Sequence, residues 1–169
     1  MANLLQAISN IIHSPILDVV SYYRGRNRIN AVGDALEAFI KDAFANTLNS
    51  DAENTNTYSQ VFSYIGNANN PPDLILKDSD AIEVKKIESL KSQIALNSSY
   101  PKSRLLSNDP MITNACRNCE DIRWTEKDII YTIGVIRENK LKLIWFIYGD
   151  CQGYFILNNV LSVLRLKPA

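Results

Sequence analysis

The sequence predicts a mixed α/β fold of the α+β kind, with helices leading into a sheet that is mostly antiparallel. Three observations carry this. Apolar residues recur at helical spacing through the first third of the chain, at Leu4, Leu5, Ile8, Ile11 and Ile12 and again at Leu36, Phe39, Ile40, Ala43 and Phe44. Two pairs of short apolar segments, 73–77 with 81–87 and 128–136 with 141–148, are joined by turn-forming residues and read as hairpins. The composition is that of a globular chain: of 169 residues, 46% are hydrophobic and 21% charged. This excludes disordered, collagen-like and coiled-coil architectures and suits one domain with its own core.

Taken in order, the first helical face ends at Ser14-Pro15, because proline breaks one helix and readily opens the next. Ile16, Val19, Val20 and Tyr23 share a face of a second helix, which gives way to Tyr22-Tyr23-Arg24-Gly25-Arg26-Asn27-Arg28. A third helix starts near Asp34 and carries the Leu36–Phe44 stripe. Residues 46–56 are polar and predict a loop. Residues 58–64 mix aromatic, β-branched and polar side chains and predict a strand, and 66–72 predict a turn-rich linker. The first hairpin turns at Asp78-Ser79-Asp80. Residues 89–96 predict a helix, and 97–118, with Pro101 and Pro110, an irregular excursion. The second hairpin turns at Arg137-Glu138-Asn139-Lys140.

Lys and Arg number 18 against 18 Asp and Glu, for a formal net charge of zero, which taken alone argues against a phosphate-rich partner. Three cysteines, odd in number and widely spaced, do not make a disulfide framework and fit a reducing compartment. No basic stretch precedes the apolar start, and the apolar runs fall short of the ~20 residues of a membrane helix. A cytoplasmic, soluble protein is expected. Cys116-Arg117-Asn118-Cys119 has zinc-like spacing, but only Cys151 and His13 could complete a set, and His13 suits a helix C-terminal cap.

The chemistry concentrates in Pro72-Asp73 and Glu83-Val84-Lys85. Residues two apart in a strand share a face, so Glu83 and Lys85 point the same way. With a three-residue loop at 78–80, Lys77 pairs with Ala81, Asp73 lies opposite Lys85, and Glu83 is its diagonal neighbour on that face. A two-residue loop would shift the register by one and split the three residues between faces. Two carboxylates and an ammonium on one patch suit phosphodiester hydrolysis. The acids offer oxygen ligands to a hard cation, and the lysine can place a water or offset charge developing at phosphorus. A salt-bridged surface hairpin is the plainer reading of the same residues.

These residues resemble the PD-(D/E)xK nuclease signature. The stretch from about Leu4 to Asp150, notably Tyr23-Arg24-Gly25-Arg26-Asn27-Arg28-Ile29-Asn30 and Leu96-Asn97-Ser98-Ser99-Tyr100-Pro101-Lys102, resembles NgoPII-type type II restriction endonucleases. The resemblance implies a restriction-endonuclease-like core over residues 1–150, with N-terminal helices packed on a central mixed sheet. It also implies Mg²⁺-dependent cleavage of double-stranded DNA at a short, GGCC-type palindrome by a homodimer, alongside a protecting methyltransferase. Asp73, Glu83 and Lys85 take the catalytic positions, with Asp73 and Glu83 holding the metal.

Glu37 is a further candidate ligand, since nucleases of this superfamily often add an acid from the preceding helix; equally, Asp34 with Glu37 three residues on is a capping arrangement. Arg24, Arg26 and Arg28 can clamp phosphates or read guanine, or can be a solvated basic loop. Lys102 and Arg104 could line the DNA cleft. The charge balance then no longer opposes DNA, because part of the acid serves the metal. The resemblance stops near Gly149-Asp150-Cys151, and 151–169 reads as an atypical, shortened or frameshifted tail, with Ile156, Val160, Val163 and Leu164 spaced for a helix. A non-catalytic DNA-binding remnant is the alternative function.

Overall fold

The structure, a computed structural model, describes residues 2–14, 16, 18–25, 32–48, 50, 55–67, 69–89 and 102–151. The segments 26–31, 90–101 and 152–169 lie outside the described residues, and with them Arg26, Arg28, most of the helix expected at 89–96 and the tail helix. Four helices come first: α1 (Leu4–Ile12), α2 (Val19–Gly25), α3 (Val32–Ala45) and α4 (Thr55–Val61). They lead into β1 (Phe62–Asn67), β2 (Asn70–Leu76) and β3 (Ala81–Ile87). After these come β4 (Arg104–Leu106), the one-turn α5 (Asn114–Arg117), β5 (Glu126–Arg137), β6 (Lys140–Tyr148) and a 3-10 turn at Gly149–Cys151.

The expected mixed α/β architecture is present: one six-stranded mixed sheet runs β1-β2-β3-β5-β4, with β6 also on β5. β4 pairs the start of β5, Leu106↔Glu126 to Arg104↔Asp128, and β6 pairs the rest, Ile130↔Tyr148 to Arg137↔Lys140. Among the described strands only β3 and β5 pair in parallel, from Ala81↔Ile129 to Ile87↔Val135. A parallel pair needs a long crossover, and residues 88–125 supply it.

Each face of the sheet carries a core. On one, Leu74, Leu76, Ile82 and Ile136 pack against Val20, Tyr23, Leu36, Phe39, Ile40 and Phe44 of the helices. On the other, Ile75, Ala81, Tyr131, Ile133 and Val135 are covered by Leu105, Ile112, Cys116 and Trp124 of the crossover. The described part of the predicted excursion is thus a packed layer with its own strand and helical turn. Burial on both faces explains the near-continuous apolar run of β5.

Three local expectations are corrected. The strand expected at 58–64 is helical to Val61, and α4 opens at Thr55, inside the stretch read as loop. The reason is tertiary. Tyr58 is buried, and its hydroxyl donates to the Asp42 carboxylate, which also accepts from Tyr23 (2.7 Å) and Thr47 (2.8 Å). That buried acid ties α2, α3 and α4 together. The linker expected at 66–72 is a tight hairpin, Asn67↔Asn70, whose turn amides of Asn69 and Asn70 donate to Asn67 Oδ1. The second hairpin is as expected, with Glu138 and Asn139 both in the left-handed region that two-residue turns require. No helix among the described residues is long and apolar enough to cross a membrane.

Leu36 of α3 packs directly over Gly134 of β5, where a Cβ would stand 2.6 Å and 2.7 Å from its two methyl carbons, and Leu36 is fully buried. Gly134→Ala is therefore expected to destabilise the protein by about 1–3 kcal/mol through overpacking. Urea unfolding checks this, and an unchanged midpoint with an unchanged slope would mean the helix–sheet contact is not tight there.

Candidate active site

The site grows from the way β3 is shared. Toward β2 it forms two ladder pairs, Leu74↔Ile82 and Ile75↔Ala81. The hairpin is closed by the Leu76 N–H on Asp80 O (3.0 Å) and the Ser79 N–H on Leu76 O (3.1 Å). From there β2 follows β1 to Asn67↔Asn70, whereas β3 follows β5 to Ile87↔Val135. The strands part at the next position, where Asp73 stands opposite Glu83. In the fork the Val84 N–H donates to Asp73 Oδ2 at 2.6 Å, a side-chain bond in the place of a ladder bond.

This corrects the expected register. The loop is Lys77-Asp78-Ser79, with Asp78 in the left-handed region (φ 55), not Asp78-Ser79-Asp80. Asp73 therefore faces Glu83, and Lys85 is the diagonal neighbour. The displacement is two residues, so the alternation of faces is kept and all three side chains remain on one side, as expected.

Lys85 Nζ lies 2.6 Å from Glu83 Oε1, and the two side chains are only 16% and 11% exposed. Glu83 Oε2 is buried and accepts no hydrogen bond. The Asp73 carboxyl is pushed up to about 7, first by burial and then by the Glu83 charge, with Glu37 adding; the Val84 N–H and Lys85 oppose the rise. Burial also lifts the half-buried Glu37 carboxyl above its ordinary value, Asp34 and Glu83 adding to this and Lys41 and Lys85 opposing it. Glu37 on α3 is thus within electrostatic range of the trio.

Two facing carboxylates, one with an unpartnered buried oxygen, form a donor set that suits a hard divalent cation. Such an ion would relieve the repulsion that raises Asp73. Among the described residues no three His, Cys, Asp or Glu side chains converge as a complete metal cage, so water and substrate oxygens would have to fill the shell.

The other predicted residues are placed less uniformly. Arg24 is exposed in the last turn of α2. Lys102 pairs with Asp109, and its backbone N–H donates to Tyr131 Oη at 2.8 Å; Tyr131 is the ladder partner of Glu83 on β5, so Lys102 borders the trio. Arg104 Nη1 sits between Glu126 (3.1 Å) and Asp128 (3.2 Å), all three about half exposed, so the arginine can exchange these partners for a phosphate at little cost. His13 is the expected C-terminal cap of α1, its Nδ1 2.8 Å from Ser9 O. Cys116 is buried, its thiol pushed up to about 12 by burial, Cys119 lies 3.6 Å from Ser63 Oγ, and Cys151 is exposed on the 3-10 turn.

Two features of the site escaped sequence reasoning. Gly66 lets β1 lie against the Pro72-Asp73 backbone: a Cβ there would stand 2.4 Å from Pro72 O and 3.0 Å from Asp73 O. Its signal was a glycine directly after Tyr64-Ile65, which marks a close backbone approach in a strand. A buried Glu120–Lys127 pair holds the β2–β3 turn, and no periodicity announces it.

Residues 2–157 match the NgoPII restriction endonuclease family. The type II restriction enzyme NgoPII of Neisseria gonorrhoeae is 44% identical over 164 residues, which are 93% of this chain and 58% of that protein. The chain thus spans less than two thirds of the length of this relative. No solved structure matches the chain.

Gly66→Ala is expected to displace the Pro72-Asp73 backbone and to destabilise the fold by about 1–3 kcal/mol. Ile65→Ala, beside it and 45% exposed, should change stability by no more than about 0.5 kcal/mol. Thermal or urea unfolding of the two variants side by side checks the contrast; equal effects would remove the close approach as the cause.

Proposed function

The chain belongs to the NgoPII restriction endonuclease family, and on that footing we propose that it is a type II site-specific deoxyribonuclease whose hydrolytic centre is Asp73, Glu83 and Lys85, of the PD-(D/E)xK type. One observation carries this reading. At the fork of β2 and β3 the half-buried Asp73 carboxylate faces the buried Glu83 carboxylate, a lysine ammonium lies 2.6 Å from Glu83, and the second oxygen of Glu83 is unpartnered.

Asp73 and Glu83 would hold a divalent cation of the Mg²⁺ class, with Glu37 as a further acid near enough to contribute. When bound, such an ion supplies Lewis-acid charge at the scissile phosphate and lowers the pKa of water. The Val84 N–H fixes the Asp73 carboxylate, so its free oxygen has a defined direction. Lys85 anchors Glu83 through Oε1 and brings positive charge to the face where a phosphate would gain negative charge in the transition state. Burial of the acids keeps bulk water from weakening these interactions.

The substrate is double-stranded DNA, with a GGCC-type palindrome as the proposed site; that specificity rests on the family resemblance. Arg24, Arg26 and Arg28 and, on the crossover, Lys102 and Arg104 are the proposed phosphate and base contacts. Palindromic cleavage by a homodimer, a partner methyltransferase and a cytoplasmic location complete the proposal.

Asp73→Asn and Lys85→Ala are each expected to slow Mg²⁺-dependent plasmid cleavage by about 100- to 1,000-fold while leaving the protein folded. Glu37→Gln should cost about 10-fold, as befits a supporting ligand. Chelation of the metal should stop cleavage, and end-mapping of the fragments tests the GGCC site. Cleavage untouched by Asp73→Asn and Lys85→Ala would remove the assignment. Uncut plasmid with a retained gel shift would make the protein a DNA binder without hydrolytic activity.

A further inference from the structure

The β2–β3 hairpin is weakly specified by its own contacts. It has two ladder pairs and two closing bonds at the turn, and two three-residue turns compete for it, 77–79 and 78–80. Moving the turn by one residue shifts the strand pairing by two, so both keep Leu74, Leu76 and Ile82 on the helix-facing core, and hydrophobic burial does not choose between them. The choice nevertheless decides the chemistry. With the turn at 77–79, Asp73 faces Glu83. With the turn at 78–80, Asp73 would face Lys85, spend its charge on an ion pair and leave Glu83 as a lone ligand.

The selection comes from outside the hairpin. Glu120, on the crossover, and Lys127, on β5, form a 2.9 Å ion pair with both side chains only 7% exposed. Glu120 Oε1 accepts the Asp78 N–H at 3.2 Å and the Ser63 hydroxyl at 2.9 Å. Lys127 Nζ donates to Ser79 O at 2.9 Å and lies 5.8 Å above the Trp124 ring. The pair thus grips one amide and one carbonyl of the observed turn and moors it to β1. In the alternative turn Asp78 and Ser79 would present those groups elsewhere. An ion pair this deeply buried is poorly explained by stability alone, since apolar replacements of similar size often serve as well; setting a register is a better-attested use.

We propose that Glu120 and Lys127 are positioning residues, which select the hairpin register that brings Asp73 against Glu83 and so create the cation site. This rests on the hydrolytic centre proposed above, and the test separates the two. Mn²⁺ serves as the probe, its free concentration read by electron paramagnetic resonance. DNA binding is read in parallel by gel shift in EDTA, where no cation site is needed.

In E120M/K127M no charge is stranded but the turn is released. Mn²⁺ binding should weaken at least tenfold while the metal-free gel shift stays within twofold. E120Q/K127M keeps an oxygen for the Asp78 amide and should recover part of the affinity. Mn²⁺ affinity equal to that of the unsubstituted chain in E120M/K127M overturns the proposal. So does parallel loss of Mn²⁺ binding and gel shift in both variants, which would make the pair a support of the whole fold. D73N is the control: if it binds Mn²⁺ as tightly as the unsubstituted chain, the hydrolytic centre itself is wrong. If D73N loses binding and E120M/K127M does not, only the positioning role falls.

Discussion

β3 belongs to two sheets' worth of partners that part from each other, and the site exists because of that divergence. Its seven-residue parallel pairing with β5 ties Glu83 and Lys85 to a strand buried along most of its length. Asp73 sits on β2, which β1 draws the other way. Where the two strands stop bonding, backbone groups would be left unpaired in a buried place, and the Asp73 carboxylate answers one of them by accepting from Val84. The same geometry sets two poorly exposed carboxylates face to face, which is unfavourable in isolation. Lys85 offsets part of that, and the proposed divalent cation would offset the rest.

The rest of the architecture serves this arrangement. A parallel β3–β5 pair obliges the chain to cross over, and the crossover becomes the layer that buries the second face of the sheet. It also delivers Glu120 to the hairpin turn and Lys102 to Tyr131, the ladder neighbour of Glu83. On the first face, the helical layer is knit by the buried Asp42 with its three hydroxyl donors, and α3 settles on Gly134 so that Glu37 comes within range of the trio. The zero net charge of the chain loses its early meaning in this setting. The acids that lower it include Asp73 and Glu83, which in the proposed site would be anionic together around a cation.

Much of this was legible beforehand, and the misses share one cause. The apolar stripes of α1, α2 and α3, the β5–β6 hairpin and the common face of Asp73, Glu83 and Lys85 all follow from periods of 3.6 and 2 in short windows. The signature residues were found the same way, and the family resemblance sharpened them. Tyr58, by contrast, reads as a strand residue until Asp42, sixteen positions earlier, draws its hydroxyl into a helical layer. The crossover reads as irregular because Leu105, Ile112, Cys116 and Trp124 find their partners on strands far along the chain.

By itself the sequence determined which residues are apolar together, where turns must fall to within a residue or two, and that the three chemical side chains share a face, because these depend on local spacing alone. Tertiary structure decided that β3 lies parallel to β5, that Asp73 meets Glu83 and not Lys85, and that a buried Glu120–Lys127 pair holds the turn. A two-residue slip leaves every local pattern intact. Only contacts between distant segments carry the energy that tells one register from the other.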